Sequence, residues 1–238
     1  MKFGIAISLC SLFLLSCKPR TSTPITVEDD PESTESTSIK LNEVQELYIS
    51  HLQERKHEAL LTLLLKHKDT FDDDPQYLNM LGVAYMTNRQ HATAERYFQE
   101  LCKKNASGQA KFNLAESKFV QEKFREASPI FLDIYQDPKS TAVMRDVSFY
   151  KYYITLLCEG SPEEISAIRP AEANISDLAM AYCFVVQRLL TDTQFLDEAK
   201  TTRKKLQLKP GHEAYEDTLN ELELLGKLHP ARPMTPDN

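Results

Sequence analysis

The chain of 238 residues has no tryptophan and only six glycines, Gly4, Gly82, Gly108, Gly160, Gly211 and Gly226. They are too scattered to write a GxGxxG or Walker-type phosphate cradle, which excludes dinucleotide-binding and P-loop folds. So few glycines also leave too few tight turns for a β-sandwich or barrel. Cys102, Cys158 and Cys183 lack CxxC spacing, and His57-Glu58 has no second histidine to complete HExxH. No GxSxG, SxxK or Cys/His nucleophile pattern occurs, so no enzyme, metal, cofactor or small-molecule substrate is expected. The three cysteines read as buried, inert thiols, with one disulfide and a leftover thiol as the alternative. Basic residues are outnumbered, 28 against 35 acidic, for a net charge of -7. That balance argues against nucleic acid and anionic lipid surfaces as partners. What the chain does have is 42% hydrophobic residues, enough for a core, and the expected fold class is all-α.

Residues 1–17 read MKFGIAISLCSLFLLSC, with Lys2 followed by an apolar run from Phe3 to Leu15 and the small Ser16 before Cys17. The run is too short for a membrane-spanning helix and reads as a secretory signal over residues 1–16. Leu14-Leu15-Ser16-Cys17 resembles the bacterial lipobox, in which a signal peptidase cuts before the cysteine and the sulfur carries a diacylglycerol. The resemblance implies a lipoprotein anchored at Cys17, and two or three acyl chains hold where one binds only reversibly. In lipoproteins of this kind an aspartate after the cysteine favours the inner membrane. Lys18 stands there instead, which points to the periplasmic face of the outer membrane. Residues 18–39 are rich in Ser, Thr, Pro, Asp and Glu, and read as a tether reaching about 25 to 30 Å. The Pro-rich stretch 229–238 reads as a disordered tail.

The middle of the chain repeats itself. Leu78, Leu81, Gly82, Tyr85, Ala94, Phe98 and Leu101 are followed at an offset of 33 by Lys111, Leu114, Ala115, Lys118, Ala127, Phe131 and Ile134. Five of the seven positions keep their small or apolar character, the mark of a helical solenoid. Gly82 and Ala115 are expected where the second helix of a pair crosses the first closely, facing Ala94 and Ala127. Phe98 and Phe131 fill the space between neighbouring pairs.

This pattern resembles the tetratricopeptide repeat (TPR), whose usual period is 34 residues. Lys111 and Lys118 depart from it, standing where aromatics are usual. The resemblance implies a concave face lined by first helices, here Asn79, Val83, Met86, Phe112, Asn113, Glu116 and Phe119. Some relatives hold a peptide carboxylate with a basic clamp. The corresponding Asn79, Val83, Gln109 and Asn113 do not make one, so an apolar-faced helix or extended peptide is the expected guest.

Local punctuation supports helices throughout. Asp74-Pro75 is an N-cap with proline at the first helical position, and Ser161-Pro162-Glu163-Glu164 is a capping box. Leu41–Gln53 with Lys56–Phe71 forms a degenerate first pair, because Leu47, Leu60 and Leu64 lie 34 residues before Leu81, Ala94 and Phe98. Ser140–Cys158 with Pro162–Arg169 is a pair whose second helix is cut short. Ile175–Leu190 with Thr193–Leu208 is another, and His212–Leu225 closes the array over its last pair. Pro129 falls inside a second helix and is expected to kink it or delay its start. The aromatics of Phe149-Tyr150-Lys151-Tyr152-Tyr153 cannot all face inward at helical spacing. The expectation is one TPR-like domain over residues 40–228, with about four helix pairs and a cap.

Address and repeat together resemble lipoproteins of outer-membrane β-barrel assembly and the pilotins. They imply a membrane-anchored scaffold for a protein or peptide partner. The alternative is a TPR chaperone for a secreted client, as in type III secretion. A third possibility, an enzyme or solute-binding site in the degenerate C-terminal half, lacks a cluster to support it.

Overall fold

The computed structural model describes residues 40–228, apart from residues 161 and 192 and the side chains at 162 and 193. The signal, Cys17, the tether, the tail and Ser161 of the capping box lie outside the described residues. Among the described residues every regular element is helical. Successive helices pack as neighbours along the chain, an arrangement compatible with a helical solenoid.

The first pair is α1 (Leu41–Gln53) and α2 (His57–Lys66), followed by the single turn α3 (Lys68–Phe71). The expected continuous helix to Phe71 breaks at His67. The Leu64 carbonyl, which the Lys68 amide would need, accepts instead from the His67 amide and from the buried Tyr77 hydroxyl. Leu60 and Leu64 are buried as expected, whereas Leu47 is 42% exposed and Val44, Tyr48 and Leu52 form the inward stripe of α1.

The second pair is α4 (Pro75–Thr87) and α5 (His91–Lys104). The Asp74 carboxylate accepts from the amides of Gln76 (2.8 Å) and Tyr77 (3.1 Å), the N-cap the sequence announces. A Cβ at Gly82 would stand 2.7 Å from Phe98 Cζ, so only glycine allows this crossing. The third pair is α6 (Gly108–Phe119) and α7 (Phe124–Gln136), with Ala115 and Ala127 fully buried and Phe131 between them and the next helix. Pro129 neither delays α7 nor ends it. It lies on the exposed side, where water can satisfy the Arg125 carbonyl that its missing amide would have bonded.

One turn recurs between the helices of these three pairs. Arg55, Arg89 and Glu122 adopt left-handed backbone with φ of 57°, 60° and 59°. In each, the amide of the next residue reaches back five positions, as in Lys56 to His51, Gln90 to Tyr85 and Lys123 to Lys118. This is the Schellman arrangement, repeated at the sequence period without a glycine.

Beyond it, α8 (Ala142–Glu159) is capped by the Thr141 hydroxyl, and α9 (Pro162–Ala167) ends before a 3-10 turn at Pro170–Glu172. α10 (Asp177–Thr191) is followed by a 3-10 turn at Thr193–Phe195, then α11 (Leu196–Leu206) and α12 (Glu213–Leu224). The described residues therefore hold four full pairs, with α8 and its shortened partner α9 between the third and the last. Because α9 is only six residues long, α10 packs directly against α8. One apolar cluster joins α1 to the start of α6, and a second joins α6 to α12.

Candidate functional site on the face of the first helices

The first helices of successive pairs, α4, α6, α8 and α10, and the closing helix α12 present equivalent positions to one another, and polar side chains link them at nearly the repeat period. Asn113 donates to Asn79 at 2.7 Å, and the Lys151 ammonium lies 2.7 Å from Glu116. Tyr153 donates to Gln187 at 2.9 Å, and Tyr182 to Glu216 at 2.8 Å. Each bond spans 34 or 35 residues of sequence.

This face is not open in the C-terminal half, because α12 lies across it. Tyr215 stacks on Tyr182 (ring centroids 4.9 Å apart) and meets Tyr150 edge-on at 5.2 Å. Glu216 accepts from Tyr182, from Arg203 Nε at 2.9 Å and from Gln207 at 2.9 Å. Arg203 also holds Asn220 and Glu223. Past the helix, Lys227 pairs with Glu122 at 2.5 Å and lies over the Phe124 ring. The closing helix thus extends beyond the last pair to α8 and to the loop after α6. The six-residue α9 explains this, since a full second helix would have held α10 away from α8.

The expected partner groove is corrected accordingly. Val83, Phe112, Asn113, Glu116 and Phe119 are all buried inside the chain. Phe112 packs edge-on against Phe131, Phe119 against Phe124, and the Lys151 ammonium sits 4.7 Å above the Phe119 ring. Asn113 accepts from Gln109 while donating to Asn79. Only Asn79 and Met86 remain partly exposed. Phe149, Tyr150 and Tyr153 are buried because α8 is enclosed by α7, α10 and α12 together, and Tyr152 is the aromatic of that run left partly exposed, so not all of them face inward.

Lys118, the departure from an aromatic position, fills that space with its stem and pairs with Glu95 (2.8 Å) and Glu126 (2.5 Å). Burial alone would raise the Glu95 carboxyl, but hydrogen bonds from Lys118, Lys123 and Gln121 outweigh it and hold it at about 2. On α12 the balance runs the other way. Burial pushes Asp217 up to about 6 and Glu221 up to about 7. Lys151 works against the rise in both, and Glu116 adds to it. One buried ammonium thus faces three carboxylates. Lys151, Asp217 and Glu221 carry no local motif, and only the tertiary structure brings them together.

Among the described residues no group of three or more His, Cys, Asp or Glu could hold a metal ion, and no helix is long and apolar enough to cross a membrane. Cys102, Cys158 and Cys183 are free thiols. Comparison with protein-family models, curated proteins and solved structures finds no match.

Proposed function

We propose that this chain is a TPR-type lipoprotein, anchored through Cys17 at the periplasmic face of the outer membrane, whose helical repeats dock another protein of the cell envelope. The role is binding rather than catalysis. The observation that carries the reading is the recurrence of one inter-helix turn at Arg55, Arg89 and Glu122, together with first-helix contacts 34 or 35 residues apart. A stack of like helix pairs builds an extended surface for another chain. The lipobox and tether of the sequence supply the attachment.

Metabolic palmitate labelling of the full chain and of Cys17→Ala, with cross-linking in the membrane fraction, tests it. Label that depends on Cys17, with an envelope protein cross-linked to the repeats, is the expected result. Unlabelled protein in the cytoplasm would overturn the anchored scaffold and leave the chaperone for a secreted client as the better reading.

A further inference from the structure

We infer that the Pro-rich segment 229–238 binds, as a polyproline II strand, in an aromatic-lined groove that the short α9 leaves open between α8 and α10. The inference goes beyond the anchored scaffold and does not depend on it.

The groove follows from the truncated pair. Where the other pairs set a full second helix beside the first, α9 stops after six residues. A cavity of about 750 Å³ is left between the C-terminal half of α8, α9, the turn at Pro170–Glu172 and α10. Tyr153 and Leu157 of α8, Ile165 of α9, Ile168 just after it and Phe184 of α10 line the cavity. The Tyr153 hydroxyl is bonded to Gln187 at 2.9 Å, so Tyr153 offers its ring. Phe184 stands 45% exposed on the wall.

The segment has a matching period. Pro230, Pro233 and Pro236 recur at every third residue, and polyproline II has three residues per turn, so all three fall on one edge. Ala231 and Met234 share the second edge, ended by Asp237, and Arg232, Thr235 and Asn238 share the third. The strand is therefore amphipathic, with two mainly apolar edges to set against aromatic and aliphatic side chains. Proline fixes φ near the polyproline II value before docking, so little conformational freedom is lost on binding. Composition alone predicts disorder here, and the groove supplies the apolar contact that the segment cannot make with itself. Arg232, on the polar edge, meets a rim of opposite sign. α9 and the turn after it carry the exposed Glu163, Glu164 and Glu172 against one base, Arg169, which pairs with Glu172 at 3.0 Å.

The described chain also ends within reach of the groove. Lys227 pairs with Glu122 and has Cys158 and Glu159, at the end of α8, as electrostatic neighbours, and Leu228 packs on the same apolar cluster. Cys158 directly follows the groove-lining Leu157. Ten residues of polyproline II span about 31 Å, whereas a helix with its side chains is about 10–12 Å across. Residues 229–238 can therefore round the end of α8 and still lie along the groove.

The test uses the full chain with Met234 replaced by the photo-reactive p-benzoylphenylalanine, irradiated and mapped by mass spectrometry. Cross-links from position 234 to the groove, within one copy of the chain, are the expected result. Replacing Pro230, Pro233 and Pro236 together by alanine, or making Phe184→Asp at its half-exposed site, should each lower their yield at least fivefold. Amides of residues 163–172 should exchange at least fivefold more slowly in the parent than in the triple-alanine chain, while α4 and α5 exchange alike in both and so report an intact fold. Cross-links elsewhere on the chain, cross-links only between two copies, or exchange in 163–172 that is indifferent to the prolines would overturn the inference.

Discussion

The Lys151 ammonium on α8 lies 2.7 Å from the Glu116 carboxylate on α6, with both side chains only 3% exposed. A buried pair of this kind contributes little beyond an apolar pair of the same shape, but removing one member strands the other. Lys151→Met should cost about 3–5 kcal/mol in urea unfolding, since it leaves Glu116 facing Asp217 and Glu221. The double variant Lys151→Met/Glu116→Leu should recover most of that loss. A single variant as stable as the parent would show that the pair is not desolvated.

Asp217 and Glu221 make stability depend on pH. Their folded values, about 6 and about 7, lie above the ordinary 3.8 and 4.5. Their contribution is therefore complete below the ordinary values and is lost as pH rises through 6 and 7. His57 and His91, pushed down by burial, oppose this because protonating them below about 6.5 costs stability. The difference between parent and Asp217→Asn/Glu221→Gln separates the two effects. It should grow by about 1–3 kcal/mol between pH 5 and pH 7.5, with the variant more stable at the higher pH.

At the crossing of α4 and α5 there is no room for a methyl group. Gly82→Ala should lower stability by about 1–3 kcal/mol, since the Phe98 ring is fully enclosed and must shift. Combining it with Phe98→Leu should cost less than the sum of the single changes in a double-mutant cycle.

Arg89 sits at φ 60° in the turn between those helices, with its side chain exposed. Arg89→Gly should raise stability by about 0.5–1 kcal/mol in thermal unfolding, because glycine adopts this conformation without a Cβ penalty. A loss would mean that the arginine side chain contributes more than its backbone costs.

The Tyr150 hydroxyl is buried with no hydrogen-bond partner, inside the Tyr182 and Tyr215 cluster. Tyr150→Phe removes that unpaired group and keeps the ring, so it should be neutral or stabilising by up to about 1–2 kcal/mol. Tyr150→Leu, which loses the edge-on contacts, should destabilise.

Helix positions were legible where the signal was local. Asp74-Pro75 announced the start of α4, and Leu41–Gln53 is α1 to the residue. Gly82 as a close crossing of α4 and α5 follows from a small residue at a fixed period, but the side chain that meets it is Phe98 of the same pair, which the period had placed between pairs. The other misjudged features each depended on another pair. Tyr77 breaks the expected helix after α2 by taking the Leu64 carbonyl, and Lys118 replaces an aromatic by pairing with Glu95 on α5.

The residues themselves determined an all-helical chain, its caps, its turns and its repeat, since these depend on contacts within a few tens of residues. The tertiary structure alone decided the fate of the surface. The short α9 lets α10 close on α8 and α12 then covers the first-helix face there, while Phe112 and Phe119, which periodicity places in an open groove, become interior against Phe131 and Phe124 of α7. Periodicity records which face a residue occupies, but what lies over that face depends on how far each pair holds the next away, and that distance is set by packing between pairs.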